Sequence, residues 1–213
     1  MTTLATMKAR IASELRRSNI TTQIASAITT AIEAYQTERF FWDESRENTF
    51  LTVASQEFYT STDAAFIANI LKIDFVHLYI GDAPSELRQE LPRLLEDVST
   101  NGTATGTPDT YGFYDEKFRL YPVPLTAGWT VRVGGVFKQA APASDSEANN
   151  PWMTTCERLI RSRAKFELAV HVLLDQNLAN AMSGAVTDAL DQLIIRTTRI
   201  TKTGGGRIVP MNF

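Results

Sequence analysis

Cysteine is almost absent from this chain. Cys156 stands alone among 213 residues, which excludes an intramolecular disulfide and leaves stability to packing and assembly. Histidine is nearly as scarce, with only His77 and His171, so the usual proton carriers and metal ligands are few. No stretch approaches the roughly 20 consecutive apolar residues of a membrane span, and no membrane partner is expected. Met1 to Arg17 is charged and amphipathic and lacks the apolar core of a signal peptide. Synthesis and folding in the host cytoplasm are therefore expected, and the shortage of cysteine fits a reducing compartment. A formal net charge of -3 implies no global attraction to nucleic acid.

What is present is ordinary globular material, 44% hydrophobic and 21% charged, enough for a real core. The first forty residues read as two helices. Leu4, Met7, Ile11 and Leu15 recur on one helical face, with Thr2 or Thr3 as cap. Thr21 or Thr22 is placed to cap the second, whose apolar stripe is Ile24, Ile28, Ala31, Ile32 and Tyr35. The short connection predicts an antiparallel hairpin. From Asn48 onward the pattern changes to period two. Phe50–Val53 and Glu57–Tyr59 look like strands around a turn at residues 54–56, and Ile70–Ile80 like a strand entering a covered sheet. Pro92 to Val98 reads as a short helix, and Ser99 to Asp109 as a loop. A β-meander follows: Tyr111–Tyr114 and Phe118–Tyr121 flank a turn at Asp115-Glu116, and Trp129, Val131 and Val133 alternate beyond it. Gly134-Gly135 suggests a bulge.

Residues 140–150 form a linker. Asn150-Pro151 is a helix start, and one long helix is expected to about Leu174, with a break at residues 175–177. A second helix follows, with Leu178, Met182, Val186, Leu190 and Ile194 at a four-residue repeat. Gly204, Gly205 and Gly206 stop it. The expected fold is α+β: an antiparallel helical bundle core from the N- and C-terminal helices, with a β-rich insertion and an extended C-terminal tail. The expected boundaries are 1–45 for the N-terminal hairpin, 46–139 for the insertion, 140–203 for the C-terminal helices and 204–213 for the tail.

A search for chemistry finds little. His77 sits mid-strand and His171 mid-helix, both flanked by apolar residues. Cys156 lies in a first helical turn, where a dipole could activate a thiol, but no histidine is near it in sequence and a structural thiol is the better reading. Asp43-Glu44 reads as the solvated end of a helix. Gly102-Thr-Ala-Thr-Gly106 lacks the lysine of a phosphate loop. Glu14 and Glu33 could be imagined as a carboxylate pair for glycoside cleavage, yet acidic residues on outer helix faces are commonplace. No catalytic residue, metal or cofactor is assigned.

The chain end is more informative. From Arg196 to Phe213 it carries Arg196, Arg199, Lys202 and Arg207 and no acidic residue, a basic end on an acidic body. Behind the triple-glycine hinge come Arg207, Ile208, Val209, Pro210, Met211, Asn212 and Phe213. An exposed apolar segment invites aggregation unless it docks. Docking on a partner as an added strand is favoured over docking on its own subunit or remaining disordered.

Several stretches resemble the head-to-tail adaptor proteins of tailed phages, also called head-completion or tail accessory factors. Leu4-Ala-Thr-Met-Lys-Ala-Arg-Ile-Ala-Ser-Glu-Leu15 looks like their first helix. Glu38-Arg-Phe-Phe-Trp-Asp-Glu44 looks like the aromatic segment after the second. Phe118-Arg-Leu-Tyr-Pro-Val-Pro124 resembles a strand ending common among them. Ala148-Asn-Asn-Pro-Trp152 with Cys156-Glu-Arg-Leu-Ile-Arg161 resembles the start of their long helix. The likeness spans nearly the whole chain, and the order of the motifs is its stronger part. The resemblance implies a virion protein: one subunit of a dodecameric ring at the neck, beneath the portal. Such a ring extends the channel for double-stranded DNA, which passes without sequence specificity, and forms a platform for tail or nozzle proteins. It also implies that the C-terminal segment reaches into the portal protein. Another neck or tail-completion ring protein is the alternative. A cell-wall-degrading virion enzyme is a remoter one, because hydrolase activity has been attributed to some members but no acid–base constellation here carries it over.

Overall fold

The computed structural model describes residues 2–99 and 104–202. Among these the helices are α1 (Leu4–Leu15), α2 (Thr21–Glu33), α3 (Pro92–Ser99), α4 (Pro151–Thr154), α5 (Glu157–Leu168) and α6 (Gln176–Lys202). The strands are β1 (Glu44–Leu51), β2 (Phe58–Tyr59), β3 (Ile70–Ile80), β4 (Ala83–Glu86), β5 (Arg88–Gln89), β6 (Thr105–Gly106), β7 (Thr110–Tyr114), β8 (Lys117–Tyr121), β9 (Val123–Pro124) and β10 (Thr130–Phe137). The chain divides into two compact units, one up to Trp42 and again from Gln139 onward, the other Asp43–Lys138. Every strand and α3 lie in the second unit, so helix and sheet are segregated and the class is α+β.

Local chemistry fixes the helix ends of the first unit. The Thr3 hydroxyl accepts from the Thr6 N–H at 3.3 Å while the Thr6 hydroxyl accepts from the Thr3 N–H at 2.7 Å. This is a reciprocal capping box with threonine in place of the usual Glu or Gln. α2 departs from expectation. Its N-cap is Ile20, with no side-chain hydrogen bond, and Thr21 is already helical. Ile20 is 7% exposed and belongs to the core. Burying an isoleucine contributes about 1.5–3 kcal/mol, which outweighs the ~1 kcal/mol of a polar cap.

At the other end of the chain Asn150 caps as expected, its Oδ1 accepting from the Trp152 N–H at 3.1 Å, with Pro151 in the first turn. The single long helix expected from Pro151 to about Leu174 is instead divided. α4 stops after four residues, and α5 restarts beyond Cys156, whose backbone lies at φ -93, ψ 4. α5 runs into a π-turn at Ala169–Leu173 and ends on Leu174 in the left-handed region, φ 52. The Asp175 N–H reaches back to the Ala169 carbonyl at 3.0 Å, one residue wider than the six-to-one bond of a Schellman ending, because the π-turn adds a residue to the last turn. Asp175 then caps α6, accepting from the Leu178 N–H at 3.0 Å.

One apolar cluster binds this unit, drawn from α1 (Met7, Ile11), the α2 stripe, α4 and α5, and from α6 through Ala189 and Leu193. Phe40 stacks on Trp42 with centroids 4.6 Å apart, and both meet the Trp152 ring edge-on, at 6.2 and 6.4 Å. The expected α6 stripe needs correction at its end: Ile194 is 48% exposed, and Ala179, Ala189, Leu193 and Thr197 are the buried positions. A strict four-residue repeat drifts about 40° per step around a helix of 3.6 residues per turn. The four steps from Leu178 to Ile194 therefore carry it off the packed face.

The second unit holds two four-stranded sheets, β1-β10-β3-β4 and β2-β8-β7-β5, and a two-stranded pair, β6-β9. Side chains from both larger sheets, among them Phe50, Val76, Leu78, Val131 and Val133 from one and Tyr59, Phe118 and Leu120 from the other, share a single core. The expected neighbours β1 and β2 lie in different sheets, and the expected meander is broken because β10 leaves the β7–β8 hairpin to pair with β1 and β3. Alternation marks which face of a strand is apolar, but not which edge it pairs with. Phe50 and Tyr59 still meet, 4.8 Å between ring centroids.

Two further segments depart from expectation and two agree with it. Asp43 is 3% exposed and its carbonyl accepts from the Phe137 N–H at 2.8 Å, while Glu44 opens β1, so the pair is no solvated helix end. Thr105–Gly106 forms β6, parallel to β9, inside the segment expected to be all loop. Asp115-Glu116 is the turn expected, with φ 52 and 54, the two left-handed positions of a tight hairpin. The Gly134-Gly135 bulge is also present. β10 steps past Asp74 and then past Leu71 of β3. These two skips put Ile70, Ile73, Val76 and Leu78 all against the core, although no period-two pattern joins them.

Candidate interaction surface

The groups weighed for chemistry are engaged structurally. Cys156 is fully buried in the helical core. Glu14 accepts from Arg161 Nη1 at 2.8 Å and Lys165 Nζ at 2.7 Å. Partial burial pushes its pKa up, but the Lys165 hydrogen bond and the charges of Lys165, Arg161 and Arg10 outweigh that and hold it below the ordinary carboxylate value. Such a group is a poor proton donor. His171 Nε2 lies 3.4 Å from Glu167 Oε2 on the helix surface. His77 stands beside Phe75, 4.9 Å between centroids, on the opposite sheet face from the buried Val76 and Leu78. Among the described residues no group of three or more His, Cys, Asp or Glu could hold a metal ion.

Recognition features are more prominent. In the strand-bearing unit a cavity of about 150 Å³ is lined by Phe58, Leu95, Gly112, Tyr114, Lys117 and Arg119, among others. Arg119 is nearly buried. Its Nε donates to Glu57 Oε1 at 2.6 Å, its Nη1 lies 2.9 Å from Glu96 Oε1, and its guanidinium sits over the Phe58 ring. Lys117 pairs with Asp115 at 2.9 Å. The cations here are thus already neutralised.

In the helical unit, α5 and α6 carry two contrasting features. At the turn between them Leu174 is 81% exposed and Val172 40%. Further along, a cavity of about 200 Å³ opens between the helices, lined by Leu159, Ala189 and Leu193 with Arg158, Gln192 and Arg196. The Arg158 guanidinium donates to the neutral Gln192 Oε1 at 3.1 Å, and Arg196 lies over the Phe41 ring at 4.8 Å. A third cavity, lined by Ala27, Glu167, Leu168, His171 and Val172 among others, lies between α2 and the end of α5. Toward its C-terminal end α6 presents Ile194, Ile195 and Ile200, each about half exposed.

The residues singled out in the sequence, Gly204 to Gly206 and Arg207 to Phe213, lie outside the described residues. The sequence placed Leu174 only at a helix end, Arg196 only at the start of the basic chain end and Arg158 only within a helix-start motif, and marked none of them as a contact residue. The helix break beside Leu174 was legible, but a left-handed leucine was not, because that position ordinarily signals itself with glycine or asparagine. No helix among the described residues is long and apolar enough to cross a membrane.

Residues 2–209 match the family model described as SU10 adaptor protein. No curated protein matches the chain.

Proposed function

The chain belongs to the SU10 adaptor protein family, a phage head-to-tail adaptor family and hence one of structural virion proteins, and on that premise we propose that it is the subunit of a ring seated beneath the portal. The ring extends the DNA channel and provides the platform on which the tail assembles. Its partners are the portal protein, further copies of itself, and tail or nozzle proteins, and its place is the virion neck. The observation that carries this reading is a family match reaching from the first helix almost to the chain end.

Portal attachment is assigned to Arg207, Ile208, Val209, Pro210, Met211, Asn212 and Phe213, hinged at Gly204, Gly205 and Gly206. Four of these are large apolar residues, each contributing roughly 1.5–3 kcal/mol if fully buried on a partner. α6 caps its own start and draws its packing from positions up to Thr197, so the fold does not need the tail. Electron microscopy of the purified chain mixed with portal should show a closed ring on the portal vertex. Deleting residues 204–213 should abolish attachment with circular dichroism and melting unchanged, and Phe213→Ala should weaken it more than Asn212→Ala. A truncated chain that decorates portal normally sinks the tail assignment. A stable dimer that ignores portal sinks the ring.

A further inference from the structure

Leu174 occupies a position at odds with its chemistry. It is a large apolar side chain, 81% exposed, held at φ 52, ψ 37, where a side chain costs energy that glycine does not incur. It follows a π-turn at Ala169–Leu173, an uncommon element found most often at functional sites. Two strained features thus hold out one side chain that gives nothing to its own core. Backbone strain of this kind persists where something else depends on the geometry.

We propose that Leu174 is a knob that inserts into the cavity between α5 and α6 of a second copy of this chain, with Asp175 beside it meeting Arg158 and Arg196 of that copy. The socket wall is apolar, since Leu159, Ala189 and Leu193 are at most 8% exposed, and its space of about 200 Å³ takes a leucine side chain. Charge decides among the three cavities. Asp175 follows the knob directly and is exposed. Neither Arg158 nor Arg196 is in an ion pair with a carboxylate among the described residues, one bonding an amide and the other lying over a ring. The cavity beside α2 is lined by Glu167, which Arg163 already pairs, and by no lysine or arginine, so it offers Asp175 no cationic partner. That beside Arg119 has cations already paired with Glu57, Glu96 and Asp115. Knob and socket lie roughly 25 Å apart along α6 at 1.5 Å per residue. A copy therefore cannot seat its own knob in its own socket, and on the ring reading each offers a knob to one neighbour and a socket to another, the head-to-tail contact that closes into rings. This inference rests on the ring reading for its symmetry, but not for the pairing itself.

The test uses the full chain in a concentration series by sedimentation velocity. Wild type should self-associate increasingly with concentration. Leu174→Gly should weaken association by about tenfold or more, from the lost apolar burial, while melting at the same temperature or higher, because glycine relieves the left-handed strain. A merely structural leucine would instead lower the melting temperature. Asp175→Asn retains the helix cap and should weaken association several-fold while removing its salt dependence. Mixed Leu174→Cys and Gln192→Cys variants should crosslink with a short bismaleimide, since Cys156 is buried. Equal association by wild type and Leu174→Gly, or no crosslink at the highest concentration reached, overturns the pairing. With both cysteines in one chain, a ladder of many copies supports the ring. A ladder stopping at two leaves the pairing standing and overturns the ring reading.

Discussion

Substituting alanine at Gly135 and at Gly184 should move stability in opposite directions, and the structure sets the size of each effect. A Cβ built on Gly135 would lie 2.1 Å from the Lys72 carbonyl oxygen and 3.1 Å from the Ile73 Cα. Both are backbone atoms of β3, so no rotamer change relieves the clash. β10 and β3 would have to part by about 1 Å to restore ordinary contact, within a sheet where β10 is paired on both sides. Two weakened ladder bonds at about 1 kcal/mol each, with overpacking of about 1–3 kcal/mol, predict a loss of about 3–5 kcal/mol. Gly184 lies within α6 with nothing within 4 Å of its built Cβ, so alanine there should stabilise by roughly 0.5–1 kcal/mol through helix propensity. Urea denaturation separates the two: far-ultraviolet circular dichroism follows the helical unit, and the indole N–H resonance of Trp129, distinct from those of Trp42 and Trp152 in the helical unit, reports on the strand-bearing one. A loss below about 1 kcal/mol for Gly135→Ala would show that β10 does not hold this register. Destabilisation by Gly184→Ala would show that α6 is covered there.

Three further outcomes follow from the same geometry. Burial, helped by the charge of Glu86, pushes the Tyr111 phenol up to about 12. Its contribution to stability is thus complete below the unfolded phenol value near 10 and lost as pH rises through about 12. Burial also raises Tyr35 and Tyr59, so spectrophotometric titration should show these three tyrosines ionising late, Tyr111 together with unfolding, and ionisation of every tyrosine near pH 10 in the folded chain would contradict this. Arg119→Met should destabilise by about 2–3 kcal/mol, since it strands Glu57, and Arg119→Met with Glu57→Leu should recover most of the loss. Melting of the single and double variants decides it, and equal destabilisation of both would refute the pairing. If the ring is a conduit, its wall must not grip DNA: binding in low-salt gel shifts should be weak, without sequence preference, and gone at physiological salt. Tight binding that survives salt would refute the conduit.

The helical elements were largely legible from the chain because their signals are local. Met7 with Ile11, the α2 stripe and the Asn150-Pro151 start each act within one or two turns, and each lies where its spacing put it. The same holds for the Asp115-Glu116 hairpin and for Pro92 opening α3. Gly134-Gly135 announced a bulge, but only the register with β3 showed that it brings Ile70, Ile73 and Val76 to one face.

What the sequence by itself determined is therefore the class of the longer segments, the order of helical and strand-rich stretches, and the family, whose motifs are read in order along the chain. What only tertiary structure decided is pairing and exposure. β1 and β2 are neighbours in sequence yet lie in different sheets, because alternation carries no information about edges. Thr21 lost its capping role to a buried Ile20, because burial contributes more than a surface hydrogen bond. Leu174 reads in sequence as one more apolar residue at the end of a helix. Its exposure and left-handed backbone are set where the π-turn ends α5 and Asp175 starts α6, a conformation that leucine's own preferences do not announce.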